Sequence, residues 1–224
     1  MVKQDRAVRT RQTILAAAAK VFEERGYQAA TITEILATAS VTKGALYFHF
    51  QSKDHLAEGV LAEQDQHLVV PTRNCKVQEI VDTVALHAYR LQTDPMVRAG
   101  VRLSLDQQAT DLDRSGPFLR WADVLGGLLK EARAELLPHV VASETADVLV
   151  GSFAGVQAMS QIISGYQDLD QRVSQLLRHI LPNVVLSSVL ATVDMGPGRG
   201  ATVYAEAGGL QPTDERRPMA ATAS

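Results

Sequence analysis

The stretch from Val41 to Leu56, VTKGALYFHFQSKDHL, sets a threonine, a lysine and a glycine just before three aromatic residues and a histidine. Thr42 stands where a helix can begin, and the free N–H groups and positive dipole end of such a position attract a phosphate. Lys43 can donate to guanine O6 and N7 or to a phosphate. Gly44 omits a side chain where a sugar–phosphate backbone would come closest. These residue types at this spacing indicate a nucleic-acid surface.

Further polar and cationic side chains extend this surface. Tyr47 and His49 offer an O–H and an N–H to phosphates, and Lys53 offers a further cationic contact. The predicted DNA contacts are Thr33, Thr42, Lys43, Gly44, Tyr47, His49 and Lys53. Structural roles compete with this interpretation, because Tyr47 can be a core aromatic and His49 a solvated surface histidine. We expect Phe48 and Phe50 to lie in the core beneath the surface.

Helical periodicity around this stretch predicts a helix-turn-helix unit. Residues 8–25 carry an apolar stripe of helical spacing that ends at Gly26. Thr31, with a glutamate three residues later, has the spacing of a capping box and opens a short helix. A second short helix begins at Thr42 after a tight break, and Ser52 caps the next one. Two short helices braced by a longer one place the second in the major groove of DNA.

The rest of the chain is also predicted to be helical, so the expected fold class is all-α. Helices are predicted at 77–92, 95–109, 117–136, 144–164 and 170–191, the last one bent by Pro182. We find no convincing period-two alternation over the length of a strand. The stretch from Asp194 onward is rich in Gly, Ala, Pro and Thr, which predicts a disordered tail.

Charge is distributed unevenly along the chain. Residues 1–53 contain eight Lys/Arg against four Asp/Glu, which gives +4, and the net charge of −3 leaves −7 for the remainder. A basic head on an acidic body is expected where only one part of a protein meets nucleic acid. Chance clustering of charges on a solvated surface is the alternative.

The composition argues against several classes of protein. The single cysteine, Cys75, permits neither an intramolecular disulfide nor a thiolate zinc site. The polar, basic first residues predict no signal peptide, and polar residues interrupt the apolar run 148–163, which favours a buried helix over a membrane span. We therefore expect a cytoplasmic location. The six histidines are scattered and we find no HExxH, GxSxG or phosphate-binding glycine motif, so we expect no enzyme, no metal and no cofactor.

Residues 31–56, TITEILATASVTKGALYFHFQSKDHL, resemble the DNA-binding signature of the tetracycline-repressor (TetR) family of bacterial regulators. Later stretches resemble the γ-butyrolactone receptor branch of that family, at 97–108, 116–125, 151–161 and 178–184. The resemblance implies a TetR-like fold of about nine helices. It also implies a homodimer that represses transcription, controls secondary metabolism, and releases a pseudo-palindromic operator when a small lactone or butenolide binds.

These implications divide the chain into a helix-turn-helix DNA-binding domain at 1–53, a ligand-binding and dimerisation domain at 54–192, and the tail at 193–224. The implied partners are double-stranded operator DNA, a small lactone or butenolide and a second copy of the chain, with no membrane. A second hypothesis keeps the fold and changes the signal, because related pseudo-receptors respond to an antibiotic or a biosynthetic intermediate. Both signals need an apolar pocket, so the helical pattern does not separate them.

Two side chains in the body are candidates for reading a ligand. Trp121, the only tryptophan, is either plain core or, as the resemblance implies, a wall of the pocket, where an indole suits an acyl chain and a polar ring. Gln64 interrupts the apolar stripe of the helix that begins at Lys53, so its amide needs a ligand, a backbone group or water as partner. The predicted ligand contacts are Gln64, Trp121, Leu125, Ser160 and Gln161. We expect the helix over 53–68 to carry the effect of the ligand to the head.

The helices predicted at 144–164 and 170–191 have the features of a dimer interface. Gly151 and Gly155 allow close helix approach, and a long apolar stripe follows the second helix. The alternative is that both helices pack only within the monomer. A helix-turn-helix protein of this type needs two heads to read two half-sites, so dimerisation follows from the predicted function.

Overall fold

The computed structural model describes residues 2–64, 70–105 and 115–208, with side chains from residue 6 onward. The α-helices in chain order are α1 (Val2–Ala29), α2 (Ile32–Ala39), α3 (Lys43–His49), α4 (Lys53–Glu63), α5 (Lys76–Thr93), α6 (Pro95–Leu105), α7 (Ser115–Glu131), α8 (Ala142–Ser164), α9 (Leu169–Ile180), α10 (Ser187–Leu190) and α11 (Arg199–Glu206). Short 3-10 helices occur at Arg133–Glu135 and Leu181–Asn183. Within the described residues one isolated antiparallel bridge, between Leu136 and Val185, is the extent of β pairing. The all-α prediction is confirmed.

Side-chain caps fix the helix ends in the head. Thr31 Oγ1 accepts from the backbone N–H of Glu34 at 3.2 Å, and the Glu34 carboxylate accepts from the N–H of Thr31 at 3.1 Å, which is the predicted capping box. Thr42 caps α3 and Ser52 caps α4, each by accepting an N–H three residues later. The backbone of α1 leaves helical geometry at Gly26, where φ is 77°, a value that glycine adopts without steric cost. These local signals place the two short helices as the sequence predicts.

The head shares its hydrophobic core with the body. Phe22, Ile35 and Phe50 are fully buried in one cluster that joins α1, α2, α3 and α4. Ala99 and Leu103 of α6 belong to the same cluster. The head therefore packs directly on α6 of the body.

The body is built around a second cluster, in which α5 packs against α7 and α9, and α8 packs against the same two helices. The predicted helix over 170–191 is wrong in its second half, because α9 ends at Ile180 and Pro182 lies in a 3-10 turn. Proline has no N–H and clashes with the preceding turn, so it ends this helix rather than bending it. The last residues of the helix predicted over 95–109, from 106 onward, lie outside the described residues.

Part of the predicted disordered tail is ordered on α5. Arg199 of α11 donates to both carboxylate oxygens of buried Asp82, at 2.8 and 2.9 Å. A Cβ at Gly200 would overlap the carbonyl oxygen of Ala85, so only glycine permits this approach. The prediction of disorder is wrong up to residue 208, because composition does not report such tertiary contacts, and the later residues lie outside the described part of the chain.

Candidate DNA-binding face and ligand cavity

The second short helix, α3, has one face in the core and one in solvent. Leu46 and Phe50 are fully buried, four residues apart, whereas Thr42, Lys43 and Gly44 are exposed. A Cβ at Gly44 would have no atom within 4 Å, so open space lies where a DNA backbone is predicted to approach. The exposed face of α3 carries no carboxylate, which suits a polyanionic partner.

The other predicted DNA contacts in α2 and α3 also reach solvent. Tyr47 is 43% exposed, and its ring centroid lies 5.8 Å from Nζ of Lys43, so a phenol and a cation stand side by side. His49 is partly exposed, and its ring meets the ring of Phe48 edge-on at 5.0 Å. Thr33 is exposed on α2. Their contact with DNA stays a prediction, and the geometry leaves each of them accessible.

Phe48 does not lie in the core as predicted. Its side chain is 78% exposed, whereas Phe50 is fully buried. Successive helical residues are rotated by about 100°. Since Leu46 and Phe50 share the inward face, Phe48 between them points to the opposite side. An exposed aromatic ring on α3 is a feature that the sequence interpretation missed.

Lys53 is not free to bind a phosphate as predicted. Its ammonium group donates to the carbonyl oxygens of Tyr27, Gln28 and Ala30, at 2.9, 3.4 and 3.2 Å. These carbonyls belong to the end of α1 and to the first residue after it, and the ammonium group also lies 4.4 Å from the ring centroid of Tyr27. Lys53 therefore stabilises the packing of α4 against the end of α1. The Tyr27 hydroxyl donates to Asp54, the next residue of α4.

A small cavity lies in the body where α4, α5, α6, α7 and α8 meet. Its free volume is about 60 Å³, and Gln64, His87, Trp121, Leu125, Phe153 and Gln157 are among its lining residues. Ligand pockets commonly measure roughly 300–1,000 Å³. A drug-sized ligand therefore enters only if the described walls move apart.

Four polar side chains lie at this mostly apolar wall: Ser104, whose hydroxyl donates to the carbonyl oxygen of Gly100 at 2.9 Å, and the three residues Gln64, His87 and Gln157. Gln64 and Gln157 are each 4% exposed and His87 is 9% exposed. Gln64, Gln157 and His87 make no side-chain hydrogen bond within the described part of the chain. In that part, every fully enclosed polar side-chain atom has a hydrogen-bond partner, so the unpaired atoms of these three residues are not fully enclosed. Their polar atoms therefore face the cavity, where a ligand or water can pair with them.

His87 is held neutral in this wall. Its ring lies between the rings of Trp121 and Phe153, with centroid distances of 4.5 and 5.3 Å. Burial, together with the nearby positive charge of Arg90, lowers the pKa of His87 from 6.5 to about 3. At neutral pH the imidazole therefore offers one N–H donor and one acceptor, with no charge, to the cavity.

Two of the predicted ligand contacts lie elsewhere. Ser160 is fully buried, but its hydroxyl donates to the carboxylate of Asp168 at 2.6 Å, as does that of Ser164. Gln161 is exposed to solvent. The cavity face of α8 ends at Gln157, because the turn beyond it packs against the start of α9. The prediction that Ser160 and Gln161 line the pocket is therefore wrong.

The outer face of α8 is apolar and exposed. Val148, Met159, Ile162 and Ile163 are 56%, 47%, 84% and 62% exposed. The helix is long and apolar enough to cross a membrane by length and composition, and 22% of its most apolar window is buried, so the prediction of a buried helix is wrong for the single chain. A Cβ at Gly151 or Gly155 would meet no atom within 4 Å, so this face is open to another helix.

Among the cavity residues that the sequence interpretation missed are His87 and Gln157. Each is a polar residue inside an apolar helical run, the same signal that singled out Gln64. Among the described residues no group of three or more His, Cys, Asp or Glu could hold a metal ion.

Comparisons with known proteins match both parts of the chain. The family model described as bacterial regulatory proteins, tetR family, matches residues 14–60, which include α2, α3 and most of α4. The A-factor receptor protein of Streptomyces griseus is 38% identical over 195 residues, which are 86% of this chain and 70% of that protein.

Two solved structures resemble the whole fold. Full-length TylP, a TetR regulator from Streptomyces fradiae, is 44% identical with a TM-score of 0.82, over 90% of this chain and 99% of that one. A γ-butyrolactone receptor described as an ArpA-like protein is 26% identical with a TM-score of 0.62, over 90% of this chain and 98% of that one.

Proposed function

Because the chain belongs to the TetR family of bacterial regulators, in the γ-butyrolactone receptor branch, we propose that it is a dimeric repressor that binds a pseudo-palindromic operator and releases it when a γ-butyrolactone or butenolide enters the cavity. TetR regulators bind operator DNA as dimers and bind small molecules, and they are not enzymes. The proposal adds the class of ligand, the residues that contact ligand and DNA, and a role in controlling secondary metabolism.

On the DNA side, α3 enters the major groove. Thr42 and the open N-terminus of α3 meet a phosphate, and Lys43 reaches bases or a phosphate. Gly44 permits close approach of the backbone, and Tyr47 and His49 hold phosphates on either side. Thr33 on α2 adds an exposed hydroxyl at the edge of this surface.

The observation that carries the ligand half of the proposal is the cavity itself. It is lined by Gln64 at the end of α4, the helix that starts in the head, and by Trp121 and Leu125. An apolar wall with three unpaired polar groups suits a neutral ring with oxygen atoms and an acyl chain. The ligand acts because its affinity differs between the DNA-bound and free forms, by about 1–3 kcal/mol in typical allosteric systems.

The dimer forms through α8 and the helices that follow it. The exposed apolar face of α8, with Ile162 at 84% exposure, is what a second copy would cover. Gly151 and Gly155 let the facing helix come close. Two copies place two α3 helices at half-sites about one helical turn or more apart. The protein acts on chromosomal DNA, so its location is the cytoplasm. A second copy of the chain, rather than a membrane, covers the apolar face of α8.

The test begins with DNA that the purified protein selects from a random-sequence duplex pool. Fluorescence anisotropy then follows release of this DNA as a synthetic γ-butyrolactone, a butenolide or an antibiotic is added. Trp121 is the only tryptophan, so quenching of its fluorescence reports ligand at the cavity. Release by a lactone or butenolide with quenching is expected, and Trp121→Phe removes the signal as a control.

Selection of no DNA would refute the repressor half of the proposal. If only the antibiotic releases the DNA, the protein is a pseudo-receptor whose ligand is an antibiotic rather than a lactone.

A further inference from the structure

We infer that Gly100 provides a notch for the side chain of Gln64, and that this fit sets the spacing of α4 and α6 at which the protein holds DNA. The inference rests on the proposed function and adds its mechanical step. In it, a ligand that fills the cavity displaces the Gln64 amide from the notch, and the displaced amide forces the two helices apart. Gln64 and Gly100 are positioning residues that act on DNA through α4.

With the Gln64 side chain in its present position, the contact between the two helices leaves no room for a side chain at Gly100 of α6. A Cβ at Gly100 would overlap Oε1 and Cδ of Gln64 and would lie 3.1 Å from its Cβ. Gly100 lies inside α6 with an ordinary helical backbone, where glycine is less favourable than alanine. Its role at this position is therefore to provide space, and the occupant of that space is the amide of Gln64.

Gln64 belongs to the cavity as well as to the notch. It is 4% exposed, lines the cavity, and has no side-chain hydrogen bond among the described residues. An amide that faces a cavity and has no protein partner can pair with a polar group of a ligand. The free cavity measures about 60 Å³, so a γ-butyrolactone or butenolide that enters it competes for space with the Gln64 amide.

The far end of α4 is fixed to the head. Lys53, its first residue, donates to the carbonyl oxygens of Tyr27, Gln28 and Ala30, at and just after the end of α1. Asp54 accepts from the Tyr27 hydroxyl. A displacement of Gln64 therefore moves α4, and through Lys53 it acts on the part of the head that carries α2 and α3.

A second contact provides the pivot. Arg98 of α6 forms an ion pair with Glu23 of α1, and Arg102 donates to the carbonyl oxygen of the same residue. These bonds hold the end of α1 on α6, while the contact at Gly100 sets the distance of α4 from α6. A change in the distance of α4 from α6 therefore moves α4, and the segment of the head bonded to Lys53, relative to the contact between α1 and α6.

The notch predicts a set of variants with opposite effects, measured on DNA that the wild-type protein selects from a random duplex pool. Gly100→Ala fills the notch and mimics the ligand, so its affinity for this DNA falls about tenfold or more in the absence of ligand. Gly100→Ala combined with Gln64→Gly removes the displaced side chain and restores affinity to within about threefold of wild type. Gln64→Gly alone binds DNA and resists release by the ligand that releases wild type.

Gly127→Ala is the matched control, because Gly127 is an exposed glycine inside α7 with no atom within 4 Å of an added Cβ. It leaves DNA affinity unchanged. Circular dichroism checks that each variant is helical. Wild-type affinity in Gly100→Ala overturns the inference, and so does a double variant that stays as weak as Gly100→Ala. If Gly100→Ala does not fold, the double variant decides: recovery of fold and DNA binding supports the notch, and failure overturns it. Absence of DNA selection by wild type would instead refute the proposed function.

Discussion

The ammonium group of Lys53 lies 2.9 Å from the carbonyl oxygen of Tyr27 and 4.4 Å from the centroid of its ring. The Lys53 ammonium group thus pairs with carbonyl oxygens at the end of α1, whereas Lys43, ten residues earlier, is exposed on α3 beside the ring of Tyr47. Two lysines ten residues apart therefore have different tasks. One holds the head together, and the other is available to DNA.

Replacing Lys53 by methionine should destabilise the head. The change keeps most of the aliphatic stem and removes a charged donor to three carbonyls. Hydrogen bonds to charged groups contribute about 1.5–3 kcal/mol. We expect the free energy of unfolding, measured by urea denaturation, to fall by about that amount. An unchanged urea midpoint would show that the three bonds contribute nothing to folding.

Lys43→Ala should do the reverse, lowering DNA affinity and leaving stability intact. Lys43 is exposed, and α3 is capped by Thr42 whatever follows it. Loss of one base or phosphate contact weakens binding by about 1–3 kcal/mol. Anisotropy with selected DNA measures the affinity, and thermal melting measures the fold. Lys130→Ala, which removes an exposed lysine from α7, should bind normally, and equal affinity of the two variants would count against the assignment.

Phe48 and Phe50 offer a matched pair, since one ring is 78% exposed and the other fully buried. Phe50→Ala leaves a hole in the core of the head and should cost about 3–5 kcal/mol of stability. Phe48→Ala should change stability by less than about 0.5 kcal/mol, because the ring is exposed, and should weaken DNA binding if the ring meets DNA in the proposed complex. Denaturation and anisotropy on both variants separate these effects. Normal DNA binding by Phe48→Ala would remove this ring from the interface.

Sequence reasoning predicted the head well where the deciding interactions are local. The capping box at Thr31 and the caps at Thr42 and Ser52 bond atoms three residues apart, so their spacing is visible in the sequence. The outward position of Phe48 was also readable, because Leu46 and Phe50 already occupy the inward face.

Contacts between distant segments were not predictable in this way. The partners of Lys53 precede it in the chain by 23 to 26 residues, with α2 and α3 in between. Gly100 meets Gln64 only after α4 and α6 have packed. Composition suggested disorder for the segment that contains α11, because this segment is rich in small residues. The same small residues also permit close packing on α5, which is what the structure has. A single sequence does not decide which of the two occurs.

The neutral state of His87 should make stability depend on pH. Its pKa is about 3 in the folded protein and near 6.5 when exposed, so below pH 6.5 the unfolded chain binds a proton that the folded chain does not. The free energy of unfolding should therefore fall as the pH falls, with this group contributing about 2 kcal/mol between pH 7 and pH 5. His87→Gln should remove that part of the slope, and His139→Gln, which changes an exposed histidine, should retain it. Equal slopes in wild type and His87→Gln, from urea denaturation at the two pH values, would contradict a buried neutral imidazole.

Ile162→Glu should convert the dimer into a monomer without harming the fold of each chain. Ile162 is 84% exposed on α8, so the protomer tolerates a carboxylate there, whereas a second copy packed on that face would bury it unpaired. Light scattering after gel filtration should give half the wild-type mass, and affinity for a two-half-site DNA should fall steeply because only one head is then held at the operator. Val8→Glu, at a residue 53% exposed on α1, is the control and should stay dimeric. A dimeric Ile162→Glu would move the interface away from this face of α8.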